Sequence, residues 1–227
     1  MDPVCFHIGT KPVYWFGILA ASGFGAALWH WTRLAKTEGR AAEYASDIVL
    51  WIMIGGLFGA RIAYVLANWS EYAGNWPSIF RIDQGGLIYY GGFLGGAAAI
   101  VLFSRRQREP ILGVADFVVS GIPLGHALGR IGCYLNGCCY GLETKHWIGA
   151  VFHGRHPTQL YECAGNIIIY ICISIFYRKN KYRGQVLFLY FISYAVLRFG
   201  VEFFRGDPRQ RLIGVSVAQW LSIGLFV

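Results

Sequence analysis

The feature that most limits this chain is its series of long apolar runs, separated by short basic loops. A helix needs about 20 apolar residues to cross a bilayer. Seven stretches qualify or come close: Val13 to Thr32, Ile48 to Trp69, Leu87 to Ser104, Ile111 to Leu135, Gln159 to Tyr177, Gln185 to Phe204, and Leu212 to Val227. The last would cover only about 24 Å at 1.5 Å per residue, which is short for a crossing. The runs do not alternate apolar and polar residues, so a closed β-barrel, the other architecture that lipid permits, is set aside. The expected fold class is all-α. It is a polytopic membrane helix bundle of about seven transmembrane helices, built as a single integral membrane domain over residues 1–227.

Composition supports that reading. Charged residues make up 14% of the chain, against about 25% in soluble domains, and the mean hydropathy is +0.44. The net charge of +8 invites a nucleic-acid reading. The basic residues lie between apolar runs, however, where they report topology first, and no nucleic-acid partner is expected. One side carries ten in short loops: Arg33, Lys36, Arg40, Arg105, Arg106, Arg108, Arg178, Lys179, Lys181 and Arg183. The other side carries seven over longer segments. The richer side should be cytoplasmic, which places the N-terminus outside and the C-terminus inside. The first residues lack a basic n-region and lead straight into a full-length span, so no cleavable signal peptide is expected.

The remaining three arginines, Arg61, Arg130 and Arg198, fall within apolar spans. A charge at the centre of a membrane helix costs about 2.5–3.5 kcal/mol on insertion scales, so each needs a partner or a task. In the sixth span Tyr194, Arg198, Glu202 and Arg205 fall within about 80° of helical arc. Glu202 can neutralise one arginine at i,i+4, which leaves a second positive charge. That stripe is either a self-satisfied polar seam between helices or a phosphate site, since guanidinium matches phosphate oxygens bidentately. Arg130 lies in a glycine-rich stretch with Gly129, Gly132, Gly137 and Gly141, small residues that let a backbone or a ligand approach. Asn136 adds a polar group there. His156 to Glu162 opens the fifth span, with Thr158 as a candidate cap and His156 and Glu162 as candidate proton carriers near an interface. Gly85 to Gly92, around Tyr89 and Tyr90, suits a close-packed turn or a floor for a head group.

These strings together resemble one family. Gly129-Arg130-Ile131-Gly132, followed by Asn136-Gly137, is similar to the GRxGNFxNG signature of bacterial prolipoprotein diacylglyceryl transferases. HPTQLYE, from His156 to Glu162, is similar to that family's HPSQLYE. The stripe from Tyr194 to Arg205 looks like the pattern of its penultimate helix. Gly59-Ala60-Arg61 with Tyr64-Val65-Leu66, Gln84-Gly85-Gly86, Ala115-Asp116-Phe117 and Gln219-Trp220-Leu221-Ser222-Ile223 match in the family's order. The resemblance implies a multi-pass enzyme of the bacterial inner membrane. It would transfer the diacylglyceryl group of phosphatidylglycerol to the lipobox cysteine of a prolipoprotein, with release of glycerol-1-phosphate. Its partners would be phosphatidylglycerol, prolipoprotein signal peptides and the surrounding membrane lipid. The alternatives are a paralogous glycerolipid transferase with a different acceptor and a lipid- or anion-binding transporter.

In the transferase reading Arg130 and Arg198 bind the lipid phosphate and stabilise the departing charge. Glu202 orients an arginine, and Tyr194 hydrogen-bonds the head group. Asn136, Gly141, Arg205, Tyr90, Arg61, His156 and Glu162 complete the substrate-binding set. No cofactor and no metal is called for. The chain departs from the family at four places: Cys133 for an asparagine, Cys138 for an acidic residue, Tyr90 for a histidine and Phe16 for a tyrosine. The missing histidine matters, because a thiol must lose its proton before it attacks carbon. For Cys133, Cys138 and Cys139 a disulfide and inert thiols are both open. A zinc site with His126 or His153 has a spacing that fits no known pattern.

Overall fold

A computed structural model of the chain describes residues 3–74, 76–81, 85–179, 182–207, 211–212, 215–216 and 219. It is mostly helical. A short antiparallel hairpin, β1 (Val4–Ile8) and β2 (Lys11–Tyr14), turns at Gly9 and leads into α1 (Trp15–Thr37). There follow α2 (Tyr44–Ala67), α3 (Trp69–Tyr72), a 3-10 turn (Trp76–Phe80), α4 (Tyr89–Gln107), α5 (Ile111–Val119) and α6 (Ile122–Leu135). Next come α7 (Trp147–Val151), α8 (Thr158–Tyr177) and α9 (Gln185–Glu202), and then the two-residue strands β3 (Arg211–Leu212) and β4 (Val215–Ser216).

Four helical stretches are long and apolar enough to cross a membrane: Tyr44–Ala67, Ile111–Leu135, Thr158–Tyr177 and Gln185–Glu202. The chain is thus a membrane helix protein. The final run departs from expectation. Arg211–Leu212 pairs with Val215–Ser216 as antiparallel strands, so no helix starts at Leu212. Apart from Gln219, the rest of that run lies outside the described residues.

The chain divides into two compact units. One comprises residues 32–115. In it α2 and α4 meet along Gly55 and Gly59 on one side and Gly91 and Gly95 on the other. A Cβ on Gly55 would lie 2.7 Å from the Gly95 carbonyl oxygen, and one on Gly59 would lie 2.8 Å from the Gly95 Cα. Only small residues let two backbones come so near. The glycines after Tyr90 therefore serve packing in the first instance.

Arg61 is 6% exposed and sits within this unit. Its Nε donates to the Ile79 carbonyl at 2.8 Å and its Nη2 to that of Ser78 at 2.8 Å. Its Nη1 donates to the carbonyls of Gly85 and Gly86 at 2.9 and 3.1 Å. The intramembrane charge is thus satisfied by backbone dipoles, and the residue clamps the segment between α3 and α4. Losing such a hydrogen-bond donor costs about 1–3 kcal/mol per buried group left unsatisfied. Arg61→Ala should therefore lower the thermal unfolding midpoint of the purified protein by several degrees, with Arg61→Lys recovering only part. An unchanged midpoint would rule the clamp out.

The other unit comprises residues 1–31 and 116–227. Here α8 and α9 bury Ile169, Ile173, Val186 and Tyr190 against Val119. Asp116 caps the start of α9, where free N–H groups and the helix dipole favour a carboxylate. The Gly184 N–H donates to its Oδ2 at 2.6 Å and the Leu187 N–H to its Oδ1 at 2.8 Å. The segment Tyr140–Leu142 then ties three helix ends together. The Gly141 N–H donates to the His156 carbonyl (3.1 Å), the Leu142 N–H to that of Phe204 (2.8 Å), and the Gly206 N–H to that of Tyr140 (3.1 Å). These bonds set the end of α6 beside the start of α8 and the end of α9.

Candidate active site

That junction gathers six charged residues of the unit. Helix α6 contributes Arg130, α8 contributes Glu162, and α9 contributes Arg198 and Glu202; the turn after α9 adds Arg205 and Asp207. Glu162 is the hub, fully buried, and receives three guanidiniums. Its Oε1 accepts from Arg198 Nη1 at 2.6 Å and lies 3.5 Å from Arg205 Nη1, while its Oε2 pairs with Arg130 Nε. Arg198 Nη2 reaches Glu202 Oε2 at 2.8 Å. Arg205 is held by both oxygens of Asp207, each at 2.9 Å. Burial opposes the Arg205 charge, but the hydrogen bonds to Asp207 and Cys139 more than offset it and hold the guanidinium above its ordinary pKa.

Two expectations change here. The stripe on α9 leaves no surplus charge, because Asp207, which the sequence reading passed over, takes Arg205. Glu162 also does not stand beside His156. It faces inward to the arginines, whereas His156 Nδ1 shares a hydrogen bond with the Tyr161 hydroxyl at 3.0 Å and packs its ring on Phe204. The alternation of side chains around the start of α8 separates the two.

Arg130 is the most open of the three arginines. Its side chain is 15% exposed, against 10% for Arg198 and 2% for Arg205. Its pairing uses Nε, and its two Nη nitrogens make no hydrogen bond among the described residues. A Cβ added at the neighbouring Gly129 would meet nothing within 4 Å. The guanidinium therefore keeps its two Nη nitrogens outside the ion pair. Tyr194 lies on the same face of α9, stacked on Tyr190 with ring centroids 5.9 Å apart, and its ring meets His126 at 5.4 Å.

The other predicted positions make contacts of their own. Asn136 ends α6 as its C-cap with an exposed side chain. Gly141 is a packing glycine, since a Cβ there would lie 2.7 Å from the Phe204 carbonyl oxygen. Tyr90 and Arg61 belong to the other unit, Tyr90 exposed and stacked edge-on against Tyr89. Thr158 does not cap α8. Pro157 occupies that position, and the Thr158 hydroxyl donates to the Cys139 carbonyl at 2.9 Å.

Sequence comparison settles the lineage. The family model described as prolipoprotein diacylglyceryl transferase matches residues 3–227. The chain belongs to the prolipoprotein diacylglyceryl transferase family. A relative in Clostridium tetani is 32% identical over all of this chain and 96% of its own length. Relatives in Pseudoalteromonas atlantica and Idiomarina loihiensis are each 35% identical over all of this chain, covering 86% and 90% of theirs. Each is named a phosphatidylglycerol–prolipoprotein diacylglyceryl transferase.

In this diacylglyceryl transferase family member the cysteines take an arrangement that spacing alone did not reveal. All six are free thiols. Cys133, Cys138 and Cys139 place their sulfurs within 4.8 Å of one another, and neither His126 nor His153 joins them. The reason is a helix-ending turn. The Cys138 N–H donates to the Cys133 carbonyl at 3.2 Å, and the Gly137 N–H donates to that of Tyr134 at 3.1 Å. With Gly137 at φ 69°, this is a Schellman motif, and it folds Cys138 back over Cys133. The interaction with Cys133 pulls the Cys139 thiol below its ordinary pKa; burial opposes this and Arg205 assists it.

Proposed function

We propose that this chain is an enzyme of the bacterial inner membrane. It transfers the diacylglyceryl group of phosphatidylglycerol to the lipobox cysteine of a prolipoprotein and releases glycerol-1-phosphate. The observation that carries this reading is the pair of Nη nitrogens that Arg130 keeps outside its ion pair with the Glu162 hub. A lipid phosphodiester fits two parallel N–H donors. The phosphate departs with added negative charge, which fixed donors stabilise without reorganising. Arg198 stands next to Arg130 across the shared carboxylate and serves the same anion. Glu162 and Glu202 hold both guanidiniums in place, and Tyr194 meets the head group.

In this reading the chain is one membrane domain with seven spans, its N-terminus outside and its C-terminus inside. The asymmetry of loop lysines and arginines supports that orientation. The full-length likeness to named transferases favours this function over an anion transporter.

The decisive experiment incubates the purified protein with phosphatidylglycerol and a synthetic lipobox peptide, and then weighs the peptide. The expected result is a mass gain of one diacylglyceryl group, absent from a peptide with serine in place of the cysteine. An unmodified cysteine peptide, with lipid still bound to the protein, would refute the assignment.

A further inference from the structure

The three cysteines have the character of a built site. Cys139 adopts φ 61°, a left-handed backbone that a non-glycine residue holds only when its surroundings impose it. The first turn of α8 imposes it here. The Thr158 hydroxyl donates to the Cys139 carbonyl at 2.9 Å, and Gln159 Nε2 donates to the Cys138 carbonyl at 2.6 Å. Both anchors lie in the turn that precedes Glu162. All three cysteines are part-buried, so the cluster is neither sealed in a core nor free in solvent.

Three sulfurs so placed match the needs of one kind of ligand. Zinc–sulfur bonds are about 2.3 Å, so sulfurs sharing a tetrahedral ion lie roughly 3.8 Å apart. Closing from 4.8 Å or less to that spacing is a side-chain adjustment. Three protein ligands with an open fourth position are the pattern of catalytic zinc, whereas structural sites are closed by four. Charge balance points the same way. A divalent ion with three thiolates carries −1, and with a fourth carries −2. Arg130 and Arg205 meet on Glu162, one helical turn from the Thr158 that holds the Cys139 carbonyl, so both guanidiniums are placed to offset that charge.

The transfer has a need that such an ion meets. An ordinary thiol, with a pKa near 8.5, is mostly protonated at neutral pH. The carboxylates of the cluster, Glu162, Glu202 and Asp207, are each already engaged by a guanidinium. A metal ion deprotonates a coordinated thiol outright.

We infer that Cys133, Cys138 and Cys139 bind a thiophilic metal ion of the zinc type, whose fourth position takes the acceptor cysteine of the prolipoprotein. The second half of this rests on the transferase function proposed above. On coordination the acceptor thiol gives its proton to water. Its sulfur electron pair then forms the C–S bond to the glyceryl carbon, while the C–O bond to phosphate breaks and its electron pair leaves with glycerol-1-phosphate. Nothing is oxidised or reduced.

Cobalt(II) is the probe, added to the full-length reduced protein in detergent. The expected result is one cobalt per chain, with a thiolate-to-metal charge-transfer band that zinc abolishes by displacement. Cys133→Ser, Cys138→Ser and Cys139→Ser should each weaken binding by more than about tenfold, the lower end of what losing even an outer-shell partner costs. Cys5→Ser and Cys172→Ser should leave it unchanged. A cysteine lipobox peptide should then shift the cobalt ligand-field bands, and a serine peptide should not. A wild-type protein that binds neither cobalt nor zinc, yet still lipidates the peptide, overturns the metal site. A cobalt band indifferent to the cysteine peptide overturns the fourth-ligand assignment. A band that responds to the cysteine peptide, in a protein that forms no lipid adduct, upholds the metal site and refutes the transferase function instead.

Discussion

Glu162→Ala is expected to abolish transfer and to destabilise the protein by about 3–5 kcal/mol, the cost of removing one partner from a buried charge cluster. Three guanidiniums converge on this one carboxylate from three parts of the chain. Without it, Arg130 loses its ion pair, and Arg198 and Arg205 each lose one of two. Positive charges a few ångströms apart in a poorly solvated site then repel one another. Glu162→Gln keeps the volume and one acceptor oxygen but not the charge, so it should fall between wild type and the alanine variant in stability. Thermal unfolding in detergent, read beside peptide lipidation, measures both effects. A Glu162→Ala protein as stable as wild type would show that the arginines do not depend on the hub.

Arg130→Ala should behave differently. Glu162 retains Arg198 and Arg205 when Arg130 is gone, so its charge stays compensated. Stability should therefore change little, while turnover falls by roughly 10²–10³, the usual cost of one fixed donor to a developing anion. Arg130→Lys should recover only a small part, because an ammonium offers a point charge in place of a planar pair of donors. A lipidation rate near wild type in Arg130→Ala would contradict the phosphate role. The two variants together separate holding the site from working in it. Glu162→Ala loses both stability and turnover, whereas Arg130→Ala loses turnover alone.

Much of this protein could be read from its residues in order. Apolar runs of bilayer length specify helices wherever they occur, because lipid leaves the backbone no other partner. The helices at Tyr44–Ala67, Ile111–Leu135 and Gln185–Glu202 follow from that alone. The Arg198–Glu202 pair was likewise legible, being one helical turn apart. The family followed from short strings, each local, occurring in a shared order.

Only the tertiary structure decided which charge meets which. Arg198 finds Glu162 across 36 residues of chain, and no periodicity links them. Arg61 looked equivalent to Arg130 as an arginine in an apolar run, yet backbone carbonyls absorb it. The cysteine trio depended on a Schellman turn at Gly137 and two side-chain hydrogen bonds from α8. The physical reason is common to all three. Burial in lipid is a property of each segment by itself, whereas the pairing of a buried charge depends on which segments pack side by side.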